Sequence, residues 1–320
     1  MLRILIVKTT SMGDVIHALP VLEDIRTHFP DAIIDWMVEV PFIDLVKANK
    51  HVHEVIPVQL RVWRQQGIQY TYRMWRQLRH SLSNRTYDFV IDLQGLIKSA
   101  CLSCAAKGRR VGPSFCHARE PLASFFYHQH AGWDKQSHAV DRLRQFTAHV
   151  LEYPCAEQAV FYESIGFYRD ARAQKNSREI WFLHASARPE KKWPVQFWCD
   201  LAQRFCVQGY TIVLPWGSFE EKNQAESIAK QSECAVVLPH LSLAALSERM
   251  HTAQLVVGVD TGLTHLAAAL YLPMVALFLA TPAWRFAPKF NPYAIALGDQ
   301  GVMPSVDEVF DASNMLLKGV

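Results

Sequence analysis

Residues 255–269, Leu255-Val-Val-Gly-Val-Asp-Thr-Gly-Leu-Thr-His-Leu-Ala-Ala-Ala269, restrict the choice of fold more than any other stretch. Leu255–Val259 is a short, apolar, β-branched run suited to a strand buried on both faces of a parallel sheet. Asp260-Thr261-Gly262 follows at once, and an Ala/Leu-rich helical segment begins within a residue or two. A strand that turns directly into a helix leaves unpaired backbone N–H groups at the helix start, where the dipole also favours an anion such as a diphosphate. Gly262 lets the backbone approach a ligand, while Asp260 and Thr261 place side chains at the strand's carboxyl end, where α/β sheets bind their ligands. The competing reading is an ordinary turn in which Asp260 or Thr261 only caps the helix.

The same strand–loop–helix grammar recurs along the chain. Predicted strands are Leu2–Lys8, Ala32–Val38, His53–Val58, Asp88–Gly95 and Arg109–Gly112, then, after a break in periodicity, Glu179–His184, Thr211–Leu214, Ala235–Leu238, Leu255–Val259 and Met274–Leu279. Helices are expected at 15–28, 42–47, 96–106, 138–151, 194–206, after 215–221, at 242–251 and at 305–317, with 114–138 irregular. This alternation predicts an α/β chain of two doubly wound domains with a cleft between them. The expected boundaries are 1–152, a linker at 153–178, and 179–304, with a closing helix at 305–320 that could pack back on the first domain. Neither half opens with G-x-G-x-x-G or a P-loop, which argues against dinucleotide dehydrogenases and P-loop enzymes.

Charge divides the halves. Residues 1–150 hold 19 Lys+Arg against 13 Asp+Glu, whereas 151–320 hold 14 against 17. The basic half should face an acidic or membrane-surface partner. No acidic residue occurs between Val55 and Tyr87, where Arg61, Arg64, Arg73, Arg76, Arg79 and Arg85 alternate with Trp63, Tyr70, Tyr72 and Trp75. Arginine mixed with Trp and Tyr suits phosphates or a lipid headgroup surface. A solvated helix face is the plainer alternative, and no recognisable nucleic-acid module accompanies the window. Seven scattered cysteines read as reduced cytoplasmic thiols, and Cys101-x-x-Cys104 lacks the second pair that zinc would need. There is no signal-peptide pattern, and Pro273 divides the apolar run 266–280 into a helix and a strand rather than a membrane span.

Several loops could share one nucleotide. Lys191 and Lys192 offer mobile point charges for phosphate, and Glu221 could accept two ribose hydroxyl bonds. No D-x-D pair is present to hold a divalent ion, so lysines and helix N-termini would neutralise a leaving diphosphate themselves. In the first half Gly13-Asp14 follows the first strand. Asp14 could cap a helix or act as a general base.

The chain resembles the lipopolysaccharide heptosyltransferases, which have the GT-B fold of two Rossmann-like domains. The resemblance is carried by Ile4-Leu-Ile-Val-Lys-Thr-Thr-Ser-Met-Gly-Asp-Val-Ile-His17, Asp92-Leu-Gln-Gly-Leu-Ile-Lys-Ser99, Arg119-Glu-Pro-Leu-Ala-Ser124, Lys191-Lys-Trp-Pro194, Leu214-Pro-Trp-Gly217 and Val259-Asp-Thr-Gly-Leu-Thr-His265. The third and fifth pieces favour the branch that adds the first inner-core heptose over the paralogue that adds the second. The resemblance implies inverting, metal-independent transfer of L-glycero-D-manno-heptose from ADP-heptose to the 3-deoxy-D-manno-octulosonic acid of Kdo2-lipid A. ADP-heptose is then a substrate and no cofactor is implied. The enzyme would be cytoplasmic and peripheral on the inner membrane, with no nucleic-acid partner. It also implies Asp14 as general base and Lys191, Thr261 and Gly262 on the diphosphate, with Ser186 and Ala187 lining that loop. Glu221 would bind ribose, Leu241 would pack on adenine, and Asp260 and His265 would lie by the heptose. Arg61, Arg64, Lys98 and Arg119 are the acceptor candidates. The chain departs from the family at Ala187 (often Thr), at Leu241 (Met in some relatives), and at Leu279–Trp284, where a Gly-Pro-Thr/Ser pattern is missing. A non-catalytic two-domain sugar-binding protein is the alternative from another class, and an enzyme of the same fold, such as the paralogue that adds the second heptose or an epimerase, is a third.

Overall fold

The structure, a computed structural model, describes residues 1–155 and 178–319. The chain divides into two compact units, Met1–Gly166 and Phe167–Val320. Most of the expected linker, residues 156–177, lies outside the described residues.

Unit one carries β1 (Arg3–Val7), β2 (Ile33–Glu39), β3 (Glu54–Val58), β4 (Thr86–Asp92), β5 (Lys107–Pro113) and β6 (Gln129–Ala131). These form one six-stranded sheet in the order β3-β2-β1-β4-β5-β6, parallel throughout. Its helices are α1 (Met12–Ala18), α2 (Pro20–His28), α3 (Ile43–Lys47), α4 (Leu60–Gln65), α5 (Ile68–Ser81), α6 (Ile97–Ser103) and α7 (Ala139–Leu151). Unit two repeats the plan with β7 (Glu179–Leu183), β8 (Thr211–Leu214), β9 (Ala235–Val237), β10 (Ala253–Val259), β11 (Met274–Leu277) and β12 (Ala294–Leu297). Their order is β12-β11-β10-β7-β8-β9, again all parallel. Helices α8 (Val195–Val207), α9 (Phe219–Ala229), α10 (Leu243–Met250), α11 (Gly262–Ala269), α12 (Ala283–Phe286) and α13 (Val306–Gly319) flank that sheet. Each unit is therefore Rossmann-like.

The central strands explain themselves. Ile4, Leu5, Ile6 and Val7 are fully buried, as are Leu255, Val256, Val257 and Val259, because helices cover both sheet faces and no position along such a strand meets water. Gly258 interrupts β10 for a steric reason: a Cβ there would lie 2.5 Å from Thr264 Oγ1 and 3.0 Å from Leu183 Cβ. Its absence lets α11 sit close to the strand it follows.

The structure corrects four expectations. The single helix predicted from 15 to 28 is two, because Pro20 opens α2 as its first residue, where its missing N–H costs nothing. The irregular stretch 114–138 contains β6, whose three residues are too few to show a periodicity. Strand β12 was also not predicted; it forms the sheet's outer edge and is only partly buried. Finally, Cys206 and Cys234 are joined in a disulfide, their Cα atoms 5.7 Å apart. An odd cysteine count with scattered spacing cannot register this pairing, which arises because β9 docks on β8 beside the end of α8. Apart from these corrections, the closing helix α13 contributes to the core of unit two: Val309 and Ala312 belong to the cluster built on α8 and β10–β11, and Trp193 Nε1 donates to Pro304 O at 3.0 Å.

Gly258→Val should lower the stability of the protein by about 1–3 kcal/mol through overpacking against Thr264 and Leu183. Denaturant melts of the two proteins measure this, and an unchanged midpoint would show that α11 can retreat without cost.

Candidate active site

In each sheet the strand order reverses between two neighbours, β1 and β4 in unit one and β7 and β10 in unit two. Crossovers leave such a pair toward opposite faces, so a crevice opens at the strands' carboxyl ends. The loops that follow these four strands contain most of the residues singled out above.

In unit one, Asp14 is the third residue of α1 and takes part in a capping box with the N-cap residue Ser11. Its Oδ2 reaches back to accept from Ser11 N at 3.0 Å and from Ser11 Oγ at 2.8 Å, leaving Oδ1 unused among the described residues. Burial alone would push this carboxyl up. The Lys8 charge, the two Ser11 bonds and His17 outweigh burial and hold it at about 2, so Asp14 is a carboxylate at any working pH. Gln94, in the turn after β4, clamps the β1 loop: its Oε1 accepts from Thr9 N at 2.8 Å and Thr9 Oγ1 at 2.7 Å, and its Nε2 donates to Thr10 Oγ1 at 3.1 Å. Lys98 at the start of α6 also donates to Thr10 Oγ1, at 3.0 Å. Glu120 accepts from Ile97 N at 2.7 Å, and its own N–H donates to Gly95 O at 3.0 Å. Those two bonds set the neighbouring, exposed Arg119 above the same turn, close enough to depress the ionisation of Lys8. Asp14, Lys98 and Arg119 thus come together. Arg61 and Arg64 lie exposed on α4.

In unit two, Asp260 is the hub. The buried carboxylate accepts from Lys191 Nζ at 2.6 Å and Thr281 Oγ1 at 2.5 Å on Oδ2, while His265 Nε2 lies 3.0 Å from Oδ1. Burial would raise its pKa, but the bonds and charge from His265, Lys191 and Thr281 hold it far below the usual carboxylate range. Thr261 occupies the N-cap position of α11 without spending its side chain on a cap bond, so the helix's first N–H groups keep their capacity for an external anion. Ser186 is buried and its Oγ accepts from Arg188 N at 3.2 Å; Ala187 is exposed in the same loop.

Glu221 carries a structural role that the sequence reading did not give it. Its Oε2 accepts from Gly217 N at 2.7 Å and Ser218 N at 3.1 Å, and Ser218 Oγ accepts from Glu221 N at 3.2 Å, a reciprocal cap on α9. Leu241 is half-buried just before Ser242, the N-cap of α10. Lys192, considered above for phosphate, pairs with Glu220 at 3.0 Å instead.

Four residues escaped the sequence reading. Lys8 read as the polar end of a strand, yet its side chain is buried. Gln94 acts through its bonds to Thr9 and Thr10 and Thr281 through one bond to Asp260, none of which a spacing rule encodes. Trp216 donates to Leu238 O at 2.6 Å and packs on His240 with ring centroids 5.1 Å apart, making an aromatic wall beside Leu241. The aromatic in Leu214-Pro-Trp-Gly217 was the available signal.

Among the described residues one group could assemble around a metal ion, Asp35, His53 and Glu54. Protein donors already fill it: Arg85 bonds both Glu54 oxygens, and Tyr87 Oη donates to Asp35 Oδ2 at 2.7 Å.

Comparison with known proteins fits this geometry. The family model "Glycosyltransferase family 9 (heptosyltransferase)" matches residues 75–314. "Lipopolysaccharide heptosyltransferase 1" of Pseudomonas aeruginosa is 42% identical over 282 residues, which cover 87% of this chain and 78% of that protein. The solved E. coli heptosyltransferase WaaC with ADP superposes with a TM-score of 0.85 at 33% identity, covering 99% of both chains. The same enzyme with ADP-2-deoxy-2-fluoro heptose gives 0.81 at 33% identity, also over 99% of both chains.

Asp260→Asn should destabilise unit two at neutral pH by up to about 3–5 kcal/mol, since it leaves the Lys191 charge without its partner. The folded pKa of Asp260 is depressed, so its contribution is complete above the ordinary aspartate value of about 3.9 and fades as pH falls toward the folded value. Thermal melts should therefore separate wild type and variant at pH 7 and converge in acid; a gap that widens on acidification would contradict the assigned ion pair.

Proposed function

The chain belongs to glycosyltransferase family 9, the heptosyltransferases, and we propose that it moves L-glycero-D-manno-heptose from ADP-heptose onto the 3-deoxy-D-manno-octulosonic acid of Kdo2-lipid A. The reading rests chiefly on the Lys191–Asp260–Thr281–His265 network beside the uncapped start of α11. Fixed positive charge and free helix donors sit at one strand end there, as a departing diphosphate requires.

The reaction proceeds with inversion. The acceptor hydroxyl oxygen forms a bond to the anomeric carbon while the bond from that carbon to the diphosphate oxygen breaks, its electron pair leaving with ADP. The hydroxyl proton passes to the Asp14 carboxylate, whose Oδ1 accepts no hydrogen bond among the described residues. Lys191 exchanges Asp260 for the diphosphate, joined by Thr261 and the N–H groups at Gly262, with Ser186 and Ala187 lining the loop. No metal takes part: a lysine and a helix N-terminus supply the neutralising charge. Glu221 offers its remaining Oε1 to ribose, Leu241 packs on adenine, and Asp260 with His265 contacts the heptose.

Arg61, Arg64, Lys98 and Arg119 meet the anionic acceptor. Helices α4 and α5 carry no acidic residue, and Ile68 and Tyr72 are exposed on them, a composition suited to resting on anionic lipid. Among the described residues no helix is long and apolar enough to cross a membrane. The enzyme then works at the cytoplasmic face of the inner membrane as a peripheral protein.

Incubation with ADP-heptose and a lipid A-type acceptor should release ADP; a sugar-binding protein would release none. Asp14→Asn should cut kcat by about 10²–10⁴ while calorimetry finds ADP affinity unchanged, and full turnover would reduce Asp14 to a helix residue. Lys191→Ala should weaken ADP binding by about 1.5–3 kcal/mol, and an unaltered affinity would remove it from the site. Ile68→Glu should lower sedimentation with phosphatidylglycerol vesicles without changing ADP affinity; equal sedimentation would move the contact off α5.

A further inference from the structure

Three hydroxyl side chains follow β1 in a row, Thr9, Thr10 and Ser11, and the protein uses the protons of two of them. Thr9 Oγ1 donates to Gln94 Oε1 at 2.7 Å. Ser11 Oγ donates to Asp14 Oδ2 at 2.8 Å. Thr10 differs, because its oxygen accepts twice: from Lys98 Nζ at 3.0 Å and from Gln94 Nε2 at 3.1 Å.

Chemistry fixes both donors. A lysine ammonium only donates. The Gln94 amide is oriented by the Thr9 backbone, whose N–H also only donates and lies 2.8 Å from the amide atom that faces it. That atom is therefore the carbonyl Oε1, and the NH2 end faces Thr10; a flipped amide would set donor against donor. A hydroxyl has two lone pairs and a single proton. With both pairs of Thr10 taken, the O–H is what remains, and among the described residues no protein acceptor receives it. Thr10 is half-buried, so its proton is offered to whatever binds beside this turn. The bond from Lys98 polarises the hydroxyl and strengthens it as a donor. Lys98 also brings positive charge to the spot, and Arg119 stands exposed by the same turn. Donors and positive charge with no competing acceptor select an oxyanion.

We propose that the Thr10 hydroxyl binds the carboxylate of the sugar acceptor: it donates its proton to one carboxylate oxygen, while Lys98, held on the same hydroxyl, supplies the charge. Thr10 is joined directly to Ser11, whose N–H and Oγ both bond Asp14, so an acidic sugar docked on Thr10 is tethered on the loop that carries the base. No covalent bond forms or breaks in this contact. The assignment rests on the proposed transfer to an acidic sugar.

The test measures ADP release by wild type, Thr10→Val and Thr10→Ser with three acceptors: the acidic lipid A-type acceptor, its carboxyl methyl ester, and the acid lacking the lipid A phosphates. With the acid, Thr10→Val should lower kcat/KM by about 10–150-fold, as expected for one lost hydrogen bond to a charged group. ADP affinity by calorimetry should stay at the wild-type value, and Thr10→Ser should recover most of the loss. With the methyl ester, wild type and Thr10→Val should react alike, and removing the phosphates should leave the gap between them intact. Thr10→Ala replaces the valine variant if that does not fold. A gap that persists in full with the ester would mean that the hydroxyl only braces Gln94 and Lys98. A gap that closes when the phosphates are removed would give the hydroxyl to a phosphate. Either result overturns the proposal, as does a Thr10→Val protein as active as wild type on the acid. Wild type that releases no ADP with any acceptor refutes the transfer itself, whereas wild-type turnover beside an unaffected Thr10→Val removes only the role of Thr10.

Discussion

A carboxylate taken out of water must be surrounded by donors or it protonates, and both halves of this molecule are organised around that constraint. In unit two Asp260 meets it with Lys191, Thr281 and His265. In unit one Asp14 meets it with Ser11 and the charge of Lys8. The donors around Asp260 come from loops after different strands, so that carboxylate ties together segments remote in sequence. Thr281 lies 21 residues from Asp260 and Lys191 lies 69 away. The chemistry then inherits its geometry from the loops that each sheet makes neighbours within its own unit rather than from any single motif.

Sheet order converts that constraint into a site. Parallel strands bring their carboxyl ends to one edge, and the reversal at β1/β4 and at β7/β10 spreads the following helices to opposite faces. Asp14 and Gln94 follow one pair of strands, and the Lys191 loop and Asp260 follow the other. Small residues decide how tightly these turns close. Gly95 adopts a φ of +66°, and a side chain there would meet Pro113 Cγ at 3.0 Å and Arg119 N at 3.4 Å. The approach of the Arg119 loop to the β4 turn depends on that missing side chain.

The helical pair α4–α5 follows different physics. Its buried side is narrow, with Trp63 and Leu78 in the core of unit one. Its outer side carries Arg61, Arg64, Arg73, Arg76 and Arg79 in the open, beside Tyr72 and Ile68. Arg73 lies over the Tyr70 ring at 4.9 Å and Arg79 over the Trp75 ring at 5.7 Å. These stackings hold guanidinium groups against the helix surface with their N–H edges available to phosphate oxygens.

Much of this was legible in the residues alone. The apolar runs of β1, β4, β7 and β10 announce buried parallel strands, because a strand covered on both faces cannot alternate. Asp260-Thr261-Gly262 and Gly13-Asp14 announce sites at strand ends, since Gly and short polar residues there serve turns and ligands alike. Pairings between remote residues were not legible. Whether Lys191 faces phosphate or Asp260, that Lys8 is buried, that Glu221 caps its own helix, and that Cys206 meets Cys234 depend on which loops the sheet order makes neighbours. The short strands β6 and β12 were invisible for the same reason: three or four residues at a sheet edge are held by the neighbouring strand's hydrogen bonds, not by a pattern of their own. Local sequence determined the elements and the residue types at their ends, while long-range strand pairing alone decided which of those ends share a site.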